Sequence, residues 1–185
     1  MINALPLFEQ VYQDQSLSPS LDNFRSACYR ALWGNRGDLS NLHVFETSMG
    51  SQPENLVLDQ SAVAFQLLQE KTDSIGYFLD NTGKELFFDL AFLDFLLSSG
   101  LAEQITCFVK NQPFFVSDAM PADLQNTLNA LHASDSQVSH DLVKRVEQAI
   151  GRGRIRITAP PFLTTSRMYR QLPEVLKKQV SGHDL

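Results

Sequence analysis

The spacing of apolar side chains changes character part-way along the chain. In LDNFRSACYRALW, residues 21–33, Leu21, Phe24, Cys28, Ala31 and Leu32 recur at helical spacing and form one stripe. Gly34 follows and is expected to stop that helix. LDQSAVAFQLLQEK at 58–71 repeats the amphipathic pattern, while residues 42–55 are polar and unpatterned and predict a loop. Residues 1–72 therefore read as a helical N-terminal segment.

At residue 74 the pattern shifts. SIGYFLD is a short apolar run ending on polar groups, as expected of a strand buried on both faces. A very hydrophobic helix is predicted over 83–99, closed by SSG. EQITCFVK at 103–110 is a second strand, β-branched and aromatic in its centre. PADLQNTLNALHA opens on Pro121, well suited to the first position of a helix. RIRITA at 154–159 is a third strand, and YRQLPEVLKKQV carries a last helix near Pro173. Strands alternating with helices predict parallel neighbours joined by crossovers. The expected fold is α/β: a three-layer α/β/α arrangement with a mostly parallel, Rossmann-like sheet in residues 73–185. The N-terminal helices pack on that core within one structural domain.

Composition narrows the functions. A length of 185 residues suits one domain with a real core. A hydrophobic content of 43% with 19% charged residues is that of a soluble globular protein. The net charge of −6 argues against a sequence-independent grip on nucleic acid, which needs clustered Lys and Arg. The local exception is GRGRIRI, where strand alternation would put Arg152, Arg154 and Arg156 on one face. That face either lines an anion site or, more in keeping with strand statistics, lies in solvent. Cys28 and Cys107 sit in apolar stretches and read as buried thiols in a reducing compartment. Neither they nor His43, His132, His140 and His183 show metal-ligand spacing. No apolar run approaches the ~20 residues of a membrane helix, and MINALPLFEQ lacks the pattern of a secretory signal. The expected location is the cytoplasm, with no membrane and no nucleic-acid partner; no protein partner is indicated.

The chemistry gathers where the pattern changed. Ligands of a parallel α/β sheet collect outside the carboxyl ends of its strands. Asp80 and Asn81 end the first strand, and the helix after Gly83 points its free N–H groups at the same crevice. Glu85 lies in that helix's first turn, with Asp89 four residues on along the same face. KNQPFFVSDAMPADL delivers Asp118 from the second strand just before another helix, whose first turn holds Asp123. Carboxylate and amide oxygens are hard ligands, suited to Mg²⁺ or Mn²⁺. Asp80, Asn81 and Asp118 would leave positions open for water and a substrate oxygen. Taken singly, the same residues serve equally well as helix caps, so spacing leaves both readings open.

Three segments resemble one family in order and spacing: ALWGNRGDLS (31–40), LDNTGKELFFDLAFLDFLLSSGLA (79–102) and VKNQPFFVSDAMPADL (109–124). It is the damage-control phosphatase family, long catalogued as domain of unknown function 89, in its acidic-residue methyltransferase and sugar-phosphate phosphatase branch. The resemblance implies metal ligation by Asp80, Asn81 and Asp118, with Asp80 and Asp118 as catalytic residues. It implies a substrate contact by Glu85, and at the GN turn either a substrate contact by Asn35, with Asp38 beyond, or a tight structural turn. The implied cofactor is a divalent metal ion, Mn²⁺, Co²⁺, Ni²⁺ or Mg²⁺, and the implied substrate a small phosphorylated metabolite such as a sugar phosphate. Two alternatives stand beside it. One is S-adenosylmethionine-dependent methylation of protein glutamates, for which the chain shows no Gly-rich nucleotide loop. The other is a non-catalytic remnant that binds metal or a partner. The family's later Lys-Gly-Asp-x-Asn-Tyr-Arg and Arg-Thr-x-Lys motifs do not occur in these residues, and its helical N-terminal region is shorter here. The resemblance thus covers the middle of the family and implies weak phosphatase activity, or none, for these 185 residues alone. The exception would be a substitute cation, such as Arg154 or Arg167, that faces the crevice.

Overall fold

Three short parallel strands set the frame of the computed structural model, which describes residues 5–13, 16–34, 56–70 and 74–181. β1 (Ser74–Phe78), β2 (Gln104–Phe108) and β3 (Ile155–Thr158) lie in the order β1-β2-β3. Their register sets Ile75 beside Ile105 and Ile105 beside Ile155. Parallel neighbours need crossovers. Among the described residues, α1 (Leu5–Gln13), α2 (Leu21–Trp33) and α3 (Ser61–Gln69) precede the sheet, and α4 (Lys84–Ser98) joins β1 to β2. Two helices, α5 (Pro121–His132) and α6 (Gln137–Gly151), join β2 to β3. The α/β class and the parallel sheet agree with the sequence pattern. Helix α6 is an addition to it, formed because Leu142, Val143, Val146 and Ala149 recur at helical spacing and are buried.

α4 is the centre of the core. Every residue from Leu86 to Leu97 is buried, including Phe87, Leu90, Phe92, Leu93 and Leu97. A helix apolar all round must be covered all round. The N-terminal helices supply that cover with aromatic rings: Phe8 of α1 stacks on Phe87, and Phe24 of α2 meets both Phe65 of α3 and Phe92. Each such side chain contributes about 1.5–3 kcal/mol through burial. The charge that α4 buries deepest, Asp94, is compensated: Arg145 donates to both its oxygens at 2.9 and 3.0 Å, and Ser98 and Tyr12 donate as well.

Two details of α2 differ from the expected stripe. Phe24, Ala27 and Ala31 are buried, whereas Leu32 is exposed, one step of about 100° past the buried face. Gly34 does follow the helix, but with a right-handed φ of −55°. Its need for glycine is proximity, because a Cβ would sit 3.1 Å from the Phe88 ring and 3.2 Å from the Glu85 Cα. The end of α2 is pressed against the beginning of α4.

Strand alternation carries Phe108 to the face opposite Cys107. There it packs with Phe162 and Leu163 of a short 3-10 turn, Pro161–Thr164, and with Leu176 of α7 (Glu174–Ser181). No helix among the described residues is long and apolar enough to cross a membrane.

Candidate active site

β1 and β2 stop together, and their continuations pair once more. Leu79 N–H donates to the Phe108 carbonyl at 3.0 Å, after which the chain after β1 runs antiparallel to residues 117–119. Asn81 and Asp118 form an isolated bridge, flanked by Ala119 N–H to the Asp80 carbonyl and Thr82 N–H to the Ser117 carbonyl, both 2.8 Å. Gly83 then turns the chain into α4 with φ +80°, a conformation that favours glycine. This backbone clasp sets the side chains of Asp80 and Asp118 around one spot.

A cation fills the space between them. Lys110, just past the end of β2 and held by its own N–H to the Ala119 carbonyl at 2.9 Å, extends its Nζ to 3.2 Å from Asp118 Oδ1 and 3.6 Å from Asp80 Oδ1. The two carboxylates differ in setting. The Asp118 side chain is only 6% exposed, and its Oδ2 accepts the Phe115 N–H at 2.6 Å; that of Asp80 is 68% exposed. Asn81 links the pair to α4: its Nδ2 donates to Asp80 Oδ2 at 3.2 Å and to Glu85 Oε2 at 3.0 Å, and its Oδ1 accepts from Ser117 Oγ at 2.8 Å. Burial pushes the Glu85 carboxyl above its usual range, the Asn81 hydrogen bond opposes that rise, and the charge of Asp80 adds to it.

The candidate residues from the sequence are thus partly assembled. Asp80, Asn81, Glu85 and Asp118 come together. Asn35 and Asp38 lie outside the described residues. Asp123 is a cap, accepting the Met120 N–H at 3.0 Å at the start of α5. Asp89 is buried on the core side of α4, where Tyr77 donates to it at 2.6 Å; burial pushes its pKa up to about 7. The expected arginine face is not formed. Arg152 caps α6 and Arg154 precedes β3, donating to the carbonyls of Glu103, Leu97 and Ala102. Both lie at the amino end of the sheet, the wrong end for the crevice, and only Arg156 is on the strand, exposed.

Four groups went unremarked or nearly so in the sequence. Lys110, Phe114 and Phe115 come from the segment between β2 and Asp118, and Tyr169 from beyond β3; with Arg167 they line a pocket of ≈ 380 Å³ that contains Asp80, Asn81 and Asp118. The pocket is of a size that takes small ligands. Lys110 was legible in principle as the second residue beyond a strand that ends at the candidate crevice. Among the described residues no group of three or more His, Cys, Asp or Glu side chains converges as a metal cluster; the site offers two carboxylates and an amide.

Comparison with known proteins bears on the family of the chain. A model of the Damage-control phosphatase ARMT1-like domain matches residues 2–185. Similar proteins include the Damage-control phosphatase ARMT1 of Danio rerio, 32% identical over 131 residues that make up 62% of this chain and 29% of that protein. The human protein of the same name is 29% identical over 171 residues, 83% of this chain and 38% of its own length. The chain thus spans well under half the length of these relatives.

Proposed function

Because the chain belongs to the damage-control phosphatase ARMT1-like domain family, we propose that it serves the hydrolysis of small phosphorylated metabolites, sugar phosphates foremost, with a divalent metal ion at the Asp80–Asp118 pair. One observation carries the reading: carboxylates from two neighbouring strand ends share a single cation position, with Lys110 Nζ at 3.2 and 3.6 Å. The relatives' name, damage-control phosphatase, supports the reaction class.

The donor set fits a hard divalent ion. Asp80 and Asp118 supply carboxylate oxygens around a spot that already favours positive charge. The Asn81 amide now turns its Nδ2 toward Asp80 and its Oδ1 toward Ser117, so it would join as a third oxygen ligand by turning over. Mn²⁺, Co²⁺, Ni²⁺ or Mg²⁺ held there would polarise a phosphoryl oxygen and offset developing charge.

The chain's own residues divide the remaining work. Asp118, fixed by the Phe115 N–H, is preset and loses little freedom on binding. Asp80 is open to solvent and can meet an incoming phosphoryl group. Lys110 and Arg167 are the cations of the same pocket and suit the non-bridging oxygens of a phosphate. Glu85 steadies the Asn81 amide by accepting its Nδ2 at 3.0 Å.

The test is phosphate release from a panel of sugar phosphates with Mn²⁺, Co²⁺, Ni²⁺ or Mg²⁺, using these residues and a longer chain that carries the family's later Lys and Arg motifs. Turnover is expected to be weak for the former, strong for the latter, and lost in Asp80→Ala of either. Turnover that survives Asp80→Ala would remove this site from the reaction.

A further inference from the structure

We propose that Lys110 is a place-holder at this site: its ammonium occupies the metal position while no divalent ion is bound, yields it to the ion, and then grips the phosphate. The inference rests on the metal-dependent reading above and adds a residue and a coupling to it.

One cation already sits against both carboxylates. The Lys110 Nζ lies 3.2 Å from Asp118 Oδ1 and 3.6 Å from Asp80 Oδ1. A Mg²⁺ ion would need the same oxygens at about 2.0–2.1 Å. The Lys110 side chain is 14% exposed, so its charge is largely withdrawn from water, and among the described residues its carboxylate partners are Asp80 and Asp118. Formal charge then fixes the order of events. Two carboxylates and one ammonium leave a net charge of one negative, which attracts a divalent ion. Two carboxylates and a divalent ion sum to zero, so the carboxylates no longer hold the ammonium and the ion repels it at close range; with the ammonium nearby the site carries one positive charge, which attracts a dianion.

The displaced side chain has somewhere to go. Lys110 lines the same ≈ 380 Å³ pocket as Arg167 and Tyr169, while its backbone stays fixed through the Ala119 carbonyl. A flexible four-carbon stem can swing its ammonium toward a phosphoryl oxygen in that pocket without moving the strand. Metal and phosphate should therefore bind cooperatively, each strengthening the other by the same factor.

Two variants separate this from a purely structural ion pair. Lys110→Met keeps the stem and removes the charge; Lys110→Arg keeps the charge in a fork that holds two carboxylates more firmly. Mn²⁺ binding, followed by electron paramagnetic resonance with and without inorganic phosphate, is the readout, beside metal-free melting temperature. Expected for Lys110→Met are a lower metal-free melting temperature, Mn²⁺ binding tighter by about tenfold, and loss of the enhancement by phosphate seen in wild type. Expected for Lys110→Arg are a melting temperature no lower than wild type and weaker Mn²⁺ binding. Should Lys110→Met be unfolded without metal, unchanged or tighter Mn²⁺ binding by Lys110→Arg overturns the proposal and weaker binding supports it. Equal Mn²⁺ affinities in wild type and folded Lys110→Met overturn the proposal and leave the metal site standing. Absence of Mn²⁺ binding in wild type overturns both.

Discussion

Asn81 and Asp118 face each other across an isolated antiparallel bridge just beyond a parallel sheet. The bridge makes a rigid clasp of two loops that parallel strands would otherwise leave unconnected. It sets the segment after β1 that carries Asp80 against the segment after β2 that carries Asp118, with hydrogen bonds of 2.8 Å on either side. The spacing of the carboxylates is thereby built into the backbone rather than left to side-chain rotamers.

The clasp makes Asp80 and Asp118 unequal in stability. Asp118 is buried and answers both the Phe115 N–H and Lys110. Asp118→Ala leaves the Phe115 N–H without its partner and Lys110 with Asp80 alone, and is expected to cost about 1–3 kcal/mol. Asp80, largely exposed, is expected to change stability by no more than about 0.5 kcal/mol when replaced by Ala. Urea denaturation of the metal-free variants checks the contrast, and equal losses would contradict it.

Asp89 supplies a pH test of the core. Its folded pKa of about 7 lies above the ordinary value of 3.8, with burial the main cause. Between those values the folded protein holds a proton that the unfolded chain has released, so stability from this group falls as pH rises from 3.8 to about 7. Asp89→Asn keeps an acceptor for Tyr77 and cannot ionise. It is expected to exceed wild type in stability at pH 8 by about 2–4 kcal/mol, an advantage that disappears near pH 4. A difference independent of pH would show that Asp89 does not titrate in this way.

Phe92 tests the all-round burial of α4. Its ring meets Phe24 and Tyr77 at centroid distances of 5.8 and 6.0 Å. Phe92→Ala is expected to cost about 3–5 kcal/mol through lost burial and the cavity left behind. A loss below about 1 kcal/mol in chemical denaturation would mean that α2 and α4 collapse onto each other freely.

Much of this was legible in the sequence because local rules and tertiary structure agree there. The run of apolar residues in α4 announced a helix buried on every side, and Asp80, Asn81 and Asp118 fell in the segments that follow β1 and β2, on the side where parallel sheets bind ligands. What escaped had no local signature. α6 looked polar because Lys144, Arg145, Glu147 and Gln148 interrupt its buried stripe. The arginine alternation misled, since β3 begins only at Ile155 and Arg154 serves carbonyls at the other end of the sheet. Lys110 carries no motif of its own; only the clasp between residues 80–82 and 117–119 shows that its ammonium meets both carboxylates. Asp89 shares a helical face with Glu85, yet Glu85 accepts from Asn81 and Asp89, one turn on, from Tyr77.

The central claim is that Asp80 and Asp118 hold one divalent ion between them. Titration of the metal-free protein with Mn²⁺, followed by electron paramagnetic resonance of the free ion, measures it directly. The expected result is one site per chain in wild type, lost in Asp80→Ala and in Asp118→Ala while both variants keep the wild-type circular dichroism. Mn²⁺ binding of equal strength in wild type and both variants, or none in wild type, would contradict the account.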